Sequence, residues 1–94
     1  MSKPGPAAHL HVTSSAVVKS APGQLVAVVL SPAAATATLT IYDNTTGSGT
    51  ILVALQGAAN GSSSVWSPTI PYSAKTGIYA AISGSGATAT VVYL

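Results

Sequence analysis

The chain has no cysteine, phenylalanine or arginine, and one side-chain carboxylate, Asp43, against three lysines, Lys3, Lys19 and Lys75. Each absence removes a class of chemistry. Without cysteine there is no disulfide framework, thiolate metal site or thiol nucleophile. With one carboxylate, acid–base catalysis on a carboxylate pair is excluded within one subunit. The net charge of +2 comes from scattered lysines, so the dense basic footprint of a nucleic-acid binder is missing. No run approaches the ~18 apolar residues of a membrane span, and the opening Lys-Pro-Gly-Pro is no apolar signal. Neither a nucleic acid nor a membrane is expected as a partner.

Charged residues make up 4% of the chain, where soluble domains carry about 25%. Free monomers normally keep a charged surface, and buried interface cores are depleted of Lys, Glu and Asp. The scarcity points to an assembly. Ala, Gly, Ser and Thr fill 50 of the 94 positions, while Val, Leu and Ile supply 22. That places the apolar content just above the roughly 20% below which chains tend to be disordered. One domain with a thin core is expected, with contacts between chains contributing part of its stability.

Residues 1–8, containing Pro4, Gly5 and Pro6, read as an extended N-terminal arm in polyproline-like geometry, held by a neighbouring chain. Residues 9–94 then read as a single domain. Short β-branched runs alternate there with Gly, Pro, Asn and Ser clusters, and no segment has a helical period. His9 to Lys19 gives one bent strand or two, broken at Ser14-Ser15. Ala21-Pro22-Gly23-Gln24 suits a type II turn, with Gly23 at positive φ. Leu25 to Leu30, continuously apolar, suits a central strand covered on both faces and stopped by Ser31-Pro32. Thr36 to Tyr42 alternates, sending Ala37, Leu39 and Ile41 inward. Asp43 and Asn44 then open a loop in which each can bond its own backbone. Ile51 to Gln56 follows with Ile51, Val53 and Leu55 inward. Pro68 confines its segment to an edge or bulge, which places Trp66 near a sheet margin. Gly77 to Ser83 and Ala87 to Leu94 read as a terminal hairpin, and Ala27, Ala54, Ala81 and Ala89 as small outward positions. The fold class is all-β, an antiparallel β-sandwich of seven or eight strands, jelly-roll or Greek-key like, with the N-terminal arm.

Few residues offer chemistry. No Gly-x-Ser-x-Gly elbow surrounds a serine, and the turn around Asp43 explains that residue structurally, so no catalytic triad is expected. His9 and His11, two apart on a strand, share a face and could share a metal, but the sequence shows no third ligand. The blander reading has both contacting solvent or a neighbour, and no metal or cofactor is assigned. Trp66 with Tyr72 and Tyr79 could form a platform for sugar, with Asp43, Gln56 and Asn60 as nearby polar groups. Ordinary core or interface packing accounts for the same aromatics with fewer demands. Asn44-Thr45-Thr46 and Asn60-Gly61-Ser62 match the glycosylation sequon but read as turns. The Gly-Ser stretches near Gly47 and Gly84 lack the Gly-Lys-Ser/Thr ending of a phosphate loop.

Three segments carry a resemblance: Ala16 through Leu30 with its Lys-x-x-Pro-Gly turn, Ala37 through Leu52 with Tyr42-Asp43-Asn44, and Gly86 through Leu94. Together they resemble small virion structural proteins of tailed bacteriophages over residues 16–94. The resemblance implies a non-enzymatic capsid decoration or cement protein on the virion surface, made in the host cytoplasm. It would bind the major capsid protein, or another virion protein, as a homo-oligomer, with a trimer as one option. Lys3, Pro4, Pro6, His9, His11, Trp66 and Tyr72 are the candidate partner-binding residues. The alternative is a tail-tip or fibre-associated domain that binds a host carbohydrate receptor.

Overall fold

The structure, a computed structural model, describes residues 8–94. Nine strands form: β1 (Ala8–Val12), β2 (Ala16–Lys19), β3 (Gly23–Ser31), β4 (Ala37–Asp43), β5 (Thr50–Gly57), β6 (Ser64–Trp66), β7 (Tyr72–Ala74), β8 (Ile78–Ser83) and β9 (Thr88–Tyr93). No helix occurs among the described residues. The strands make two antiparallel sheets around one core. One runs β1-β9-β3-β6, with β7 beside β6 on β3, and the other runs β2-β8-β4-β5. The first strand thus pairs the last, β2 pairs β8, β3 pairs β7 and β6, and β4 pairs β5. The chain is in effect one long hairpin, bent back at residues 44–49 and rolled into two layers. Apart from that bend and the β6–β7 link, every connection passes from one sheet to the other.

Alternation builds the core. Ala37, Leu39 and Ile41 of β4 are fully buried, as expected, and they meet Leu25, Val28 and Leu30 of β3 with Ile78, Ala80, Ala89 and Val91 of β8 and β9. Burying each large apolar side chain contributes about 1.5–3 kcal/mol. The break between β1 and β2 resolves the His9–Lys19 run into two strands, and β1 begins at Ala8, inside the expected arm. Trp66 lies on the edge strand β6, and Pro68 stands outside it. β3 is central, but its outward residues Val26, Ala27 and Val29 are only half-buried.

Other expectations need correction. β8 and β9 do not form a hairpin: they belong to different sheets, joined by an arch over residues 84–87. Both are alternating strands with one apolar face, and that pattern is the same whether they pair with each other or face each other across a core. Gly84 makes the arch possible, at φ 116° and with its Cα so close to Ala37 that a Cβ would lie 2.8 Å from the Ala37 Cα. Gly23 is not at positive φ, so no type II turn forms there; it already belongs to β3, packed against the Leu94 main-chain oxygen. Ile51 is 55% exposed because a bulge at Leu52 sets it opposite the outward Tyr42, while Leu52, Val53 and Leu55 pack on the core. Ala89 is buried, on the core side of β9, whereas Ala54 faces out and Ala27 and Ala81 are half-buried.

Candidate functional site

The two ends of the molecule are chemically unlike. Lys19, Asp43 and Lys75 all lie at the end that joins β2 to β3, β4 to β5 and β7 to β8. There the Asp43 carboxylate does not cap its own loop; its Oδ1 accepts the Thr76 N–H at 2.8 Å and the Gly77 N–H at 3.5 Å. Those amides, led by Thr76, together with the Lys75 amide and ammonium, hold the carboxyl below the ordinary value of 3.8. Asn44 does bond locally, accepting Thr45 N–H through Oδ1 and donating from Nδ2 to the Ser48 carbonyl. Lys19 Nζ donates to the Leu94 main-chain oxygen at 3.0 Å. Through Oδ1, Asp43 therefore joins the β4 end to the 74–77 turn.

The remaining described surface carries no formal charge, and apolar side chains emerge from both sheets. Across the outer face of the β2-β8-β4-β5 sheet, register aligns Val17, Tyr79, Tyr42 and Ile51 in one row. Val17 is 41% exposed there, and the two tyrosines are half-buried. Across the other sheet His11, Thr90, Val29 and Val65 align, with His9, Val92 and Ala27 beside them. Val65 is 65% exposed and Ile70, between β6 and β7, 75%. Ala27 was legible as an outward position, but the sequence did not signal Val17, Ile51, Val65 or Ile70 as surface, because alternation identifies the buried face of a strand and is silent about what meets the other.

Trp66 and Tyr72 come together as the aromatic reading required, their ring centroids 4.9 Å apart and the planes crossing at 77°. The edge of one ring addresses the face of the other, with Trp66 half-buried against the core and Tyr72 exposed. Tyr79 is not part of that pair; it lies in the other sheet, opposite Tyr42. The described surface forms no enclosed cavity beside these rings. His9 and His11 are both exposed on β1, opposite Val92 and Thr90. His11 Nδ1 lies 3.3 Å from Thr90 Oγ1. Among the described residues no three His, Cys, Asp or Glu side chains gather as a metal site. Lys3, Pro4 and Pro6 lie outside the described residues.

No protein-family model, curated protein or solved structure matches the chain.

Proposed function

We propose that this chain is a non-enzymatic virion structural protein with a jelly-roll sandwich, which decorates or cements a phage head by binding at subunit junctions as an oligomer. The observation that carries the reading is the surface: exposed Val17, Ile51, Val65 and Ile70 on a described domain whose only charged side chains cluster at one end. Apolar exposure with little charge is what an interaction surface needs and a free monomer avoids. The pairing of first strand with last, second with second-last and so on, counting β6 and β7 as one interrupted strand, supports the jelly-roll assignment. Jelly rolls occur in viral capsid, lectin and cupin domains, so the architecture narrows the class without selecting a member. In this reading residues 1–7, with Lys3, Pro4 and Pro6, form the arm that reaches the major capsid protein or a neighbouring copy, Ala8 belonging to β1. His9 and His11 on the edge strand β1, and Trp66 and Tyr72 at the opposite edge of the same sheet, add further contacts.

One observation favours the second reading, a tail-tip or fibre-associated domain binding host carbohydrate. The Trp66–Tyr72 pair leaves Tyr72 47% exposed at a sheet edge, and such rings stack on sugars. The missing cavity and the engagement of Asp43 elsewhere weigh toward packing. The test is to compare phage particles bearing the wild-type protein with particles bearing the Val65→Lys/Ile70→Lys variant. The cement reading expects weaker retention of the variant and genome release at lower temperature. Unchanged release together with reduced attachment to cells would transfer the function to the receptor reading.

A further inference from the structure

The geometry points to a divalent metal site of the zinc class built from His9 and His11 of two copies of this chain, paired antiparallel along their β1 edges. It depends on β1 alone and does not rest on a virion role. Among the described residues β1 pairs only with β9, and none of them pairs with its other edge. Natural edges are usually blocked by lysine, proline, a bulge or an inward-pointing charge. Ala8-His-Leu-His-Val12 has none of these, and its five residues pair with β9 in unbroken register.

A second β1 laid antiparallel on that edge pairs over its full length when a two-fold axis passes beside Leu10. Leu10 then opposes Leu10 of the second copy, and His9 opposes the second copy's His11. The sheet period of two keeps all four imidazoles on the outer face, because Leu10 packs on the core side. Side chains directly opposite on an antiparallel pair have Cβ atoms about 4.5–5.5 Å apart, and residues two apart on a strand are separated by roughly 6.5 Å. The four histidines therefore outline a small rectangle around the axis, with no side chain at its centre. One ion above that centre is within reach of all four, which satisfies a tetrahedral nitrogen set that one chain cannot supply.

A second feature orients the ligand. Metal-bound imidazoles generally donate their other N–H to a fixed acceptor, which sets the tautomer. His11 Nδ1 has such an acceptor in Thr90 Oγ1 at 3.3 Å, on the adjacent strand β9. With Nδ1–H donated there, Nε2 keeps its lone pair for the ion. Thr90 is thus a positioning residue for the ion.

The experiment uses the full chain, stripped with chelator and then titrated with Zn(II), with mass read by sedimentation and bound metal by elemental analysis. Saturation is expected at one ion per two chains, with the stripped monomer becoming a dimer. Co(II) in place of Zn(II) should give the intense visible bands of tetrahedral nitrogen coordination. His9→Ala and His11→Ala, both at exposed positions, should each abolish the dimer while leaving the melting curve in chelator unchanged. Thr90→Val should weaken Zn(II) binding by about tenfold, the usual cost of losing such a support. If the stripped chain is already oligomeric, the deciding quantities are the ion-to-chain ratio and its loss in the histidine variants. Saturation at one ion per chain, no zinc binding at all, or binding that survives in the double variant would overturn the proposal.

Discussion

The two ends of the rolled hairpin solve the same problem with different chemistry. At the charged end, a carboxylate and a lysine tie turns to distant main chain, Asp43 to residues 76 and 77 and Lys19 to Leu94, while the Asn44 amide braces its own loop through residues 45 and 48. At the opposite end the ties are neutral. Ser15 Oγ accepts the Ile82 N–H and approaches the Ile82 carbonyl, Ser64 donates to Gln56, and hydroxyl pairs join Ser31 to Ser63 and Thr38 to Ser83. The neutral end is held by hydroxyl groups and tight backbone alone, whereas the charged end adds the carboxylate of Asp43 and the ammonium of Lys19 to its neutral ties. Confining charge to one end leaves both sheet faces and the other end available for apolar contact.

Four substitutions probe that contrast, beginning with one that should erase it. Leu39→Ala empties part of the core shared by both ends and should cost about 2–5 kcal/mol in denaturant unfolding, without favouring either end. Gly84→Ala acts on the neutral end alone, placing a Cβ at φ 116° against the Ala37 backbone. About 1–3 kcal/mol of strain is expected, seen as a fall in melting temperature that neither salt nor pH alters.

Asp43→Ala acts on the charged end and should cost about 1 kcal/mol at neutral pH through the lost amide bonds. Because the folded carboxyl sits below the ordinary 3.8, this stabilisation is present above that value. It disappears as pH falls through the folded-state value, where the carboxylate protonates. Melting temperatures of wild type and variant should therefore converge as pH falls through the folded-state value. Ser15→Ala, the neutral counterpart, removes one exposed hydroxyl link to Ile82. It should cost about 0.5–1 kcal/mol, by a margin that stays constant from neutral to acid. If the Ser15 margin also closed in acid, the contrast between the ends would fail.

What the sequence revealed follows the range of each signal. Alternation is local, so the inward set Ala37, Leu39 and Ile41 was legible, as were the edge position of Trp66 and the break before Ala16. Features that depend on a distant partner were not. Residues 83–88 read as a hairpin because glycine and serine between two amphipathic strands suit an arch equally well, and only the competing partners β1, β2, β3 and β4 decide. Ile51 was misplaced because the bulge is a property of the β4–β5 pair, and nothing in the β5 residues marks the extra one. Asp43 looked like a self-capping turn residue because its acceptor role depends on residues 76 and 77, more than thirty positions away. For the candidate surface, the shared face of His9 and His11 could be named from spacing, whereas of the grouped Trp66, Tyr72 and Tyr79 only the first two meet. The Thr90 support of His11, and the rows of outward apolar residues, required the register between strands.

The pairing of β1 with β9 has a consequence for biosynthesis. A strand formed early in the chain must wait for one near residue 90 before its sheet can close. At about 5–20 residues per second, translation leaves β1 without its partner for seconds, with β3 also lacking a neighbour on that side. During that interval the apolar run Leu25–Leu30 is exposed to other nascent chains. Closure of this sheet therefore waits on β9, and chaperone demand should fall on the interval before β9 leaves the ribosome.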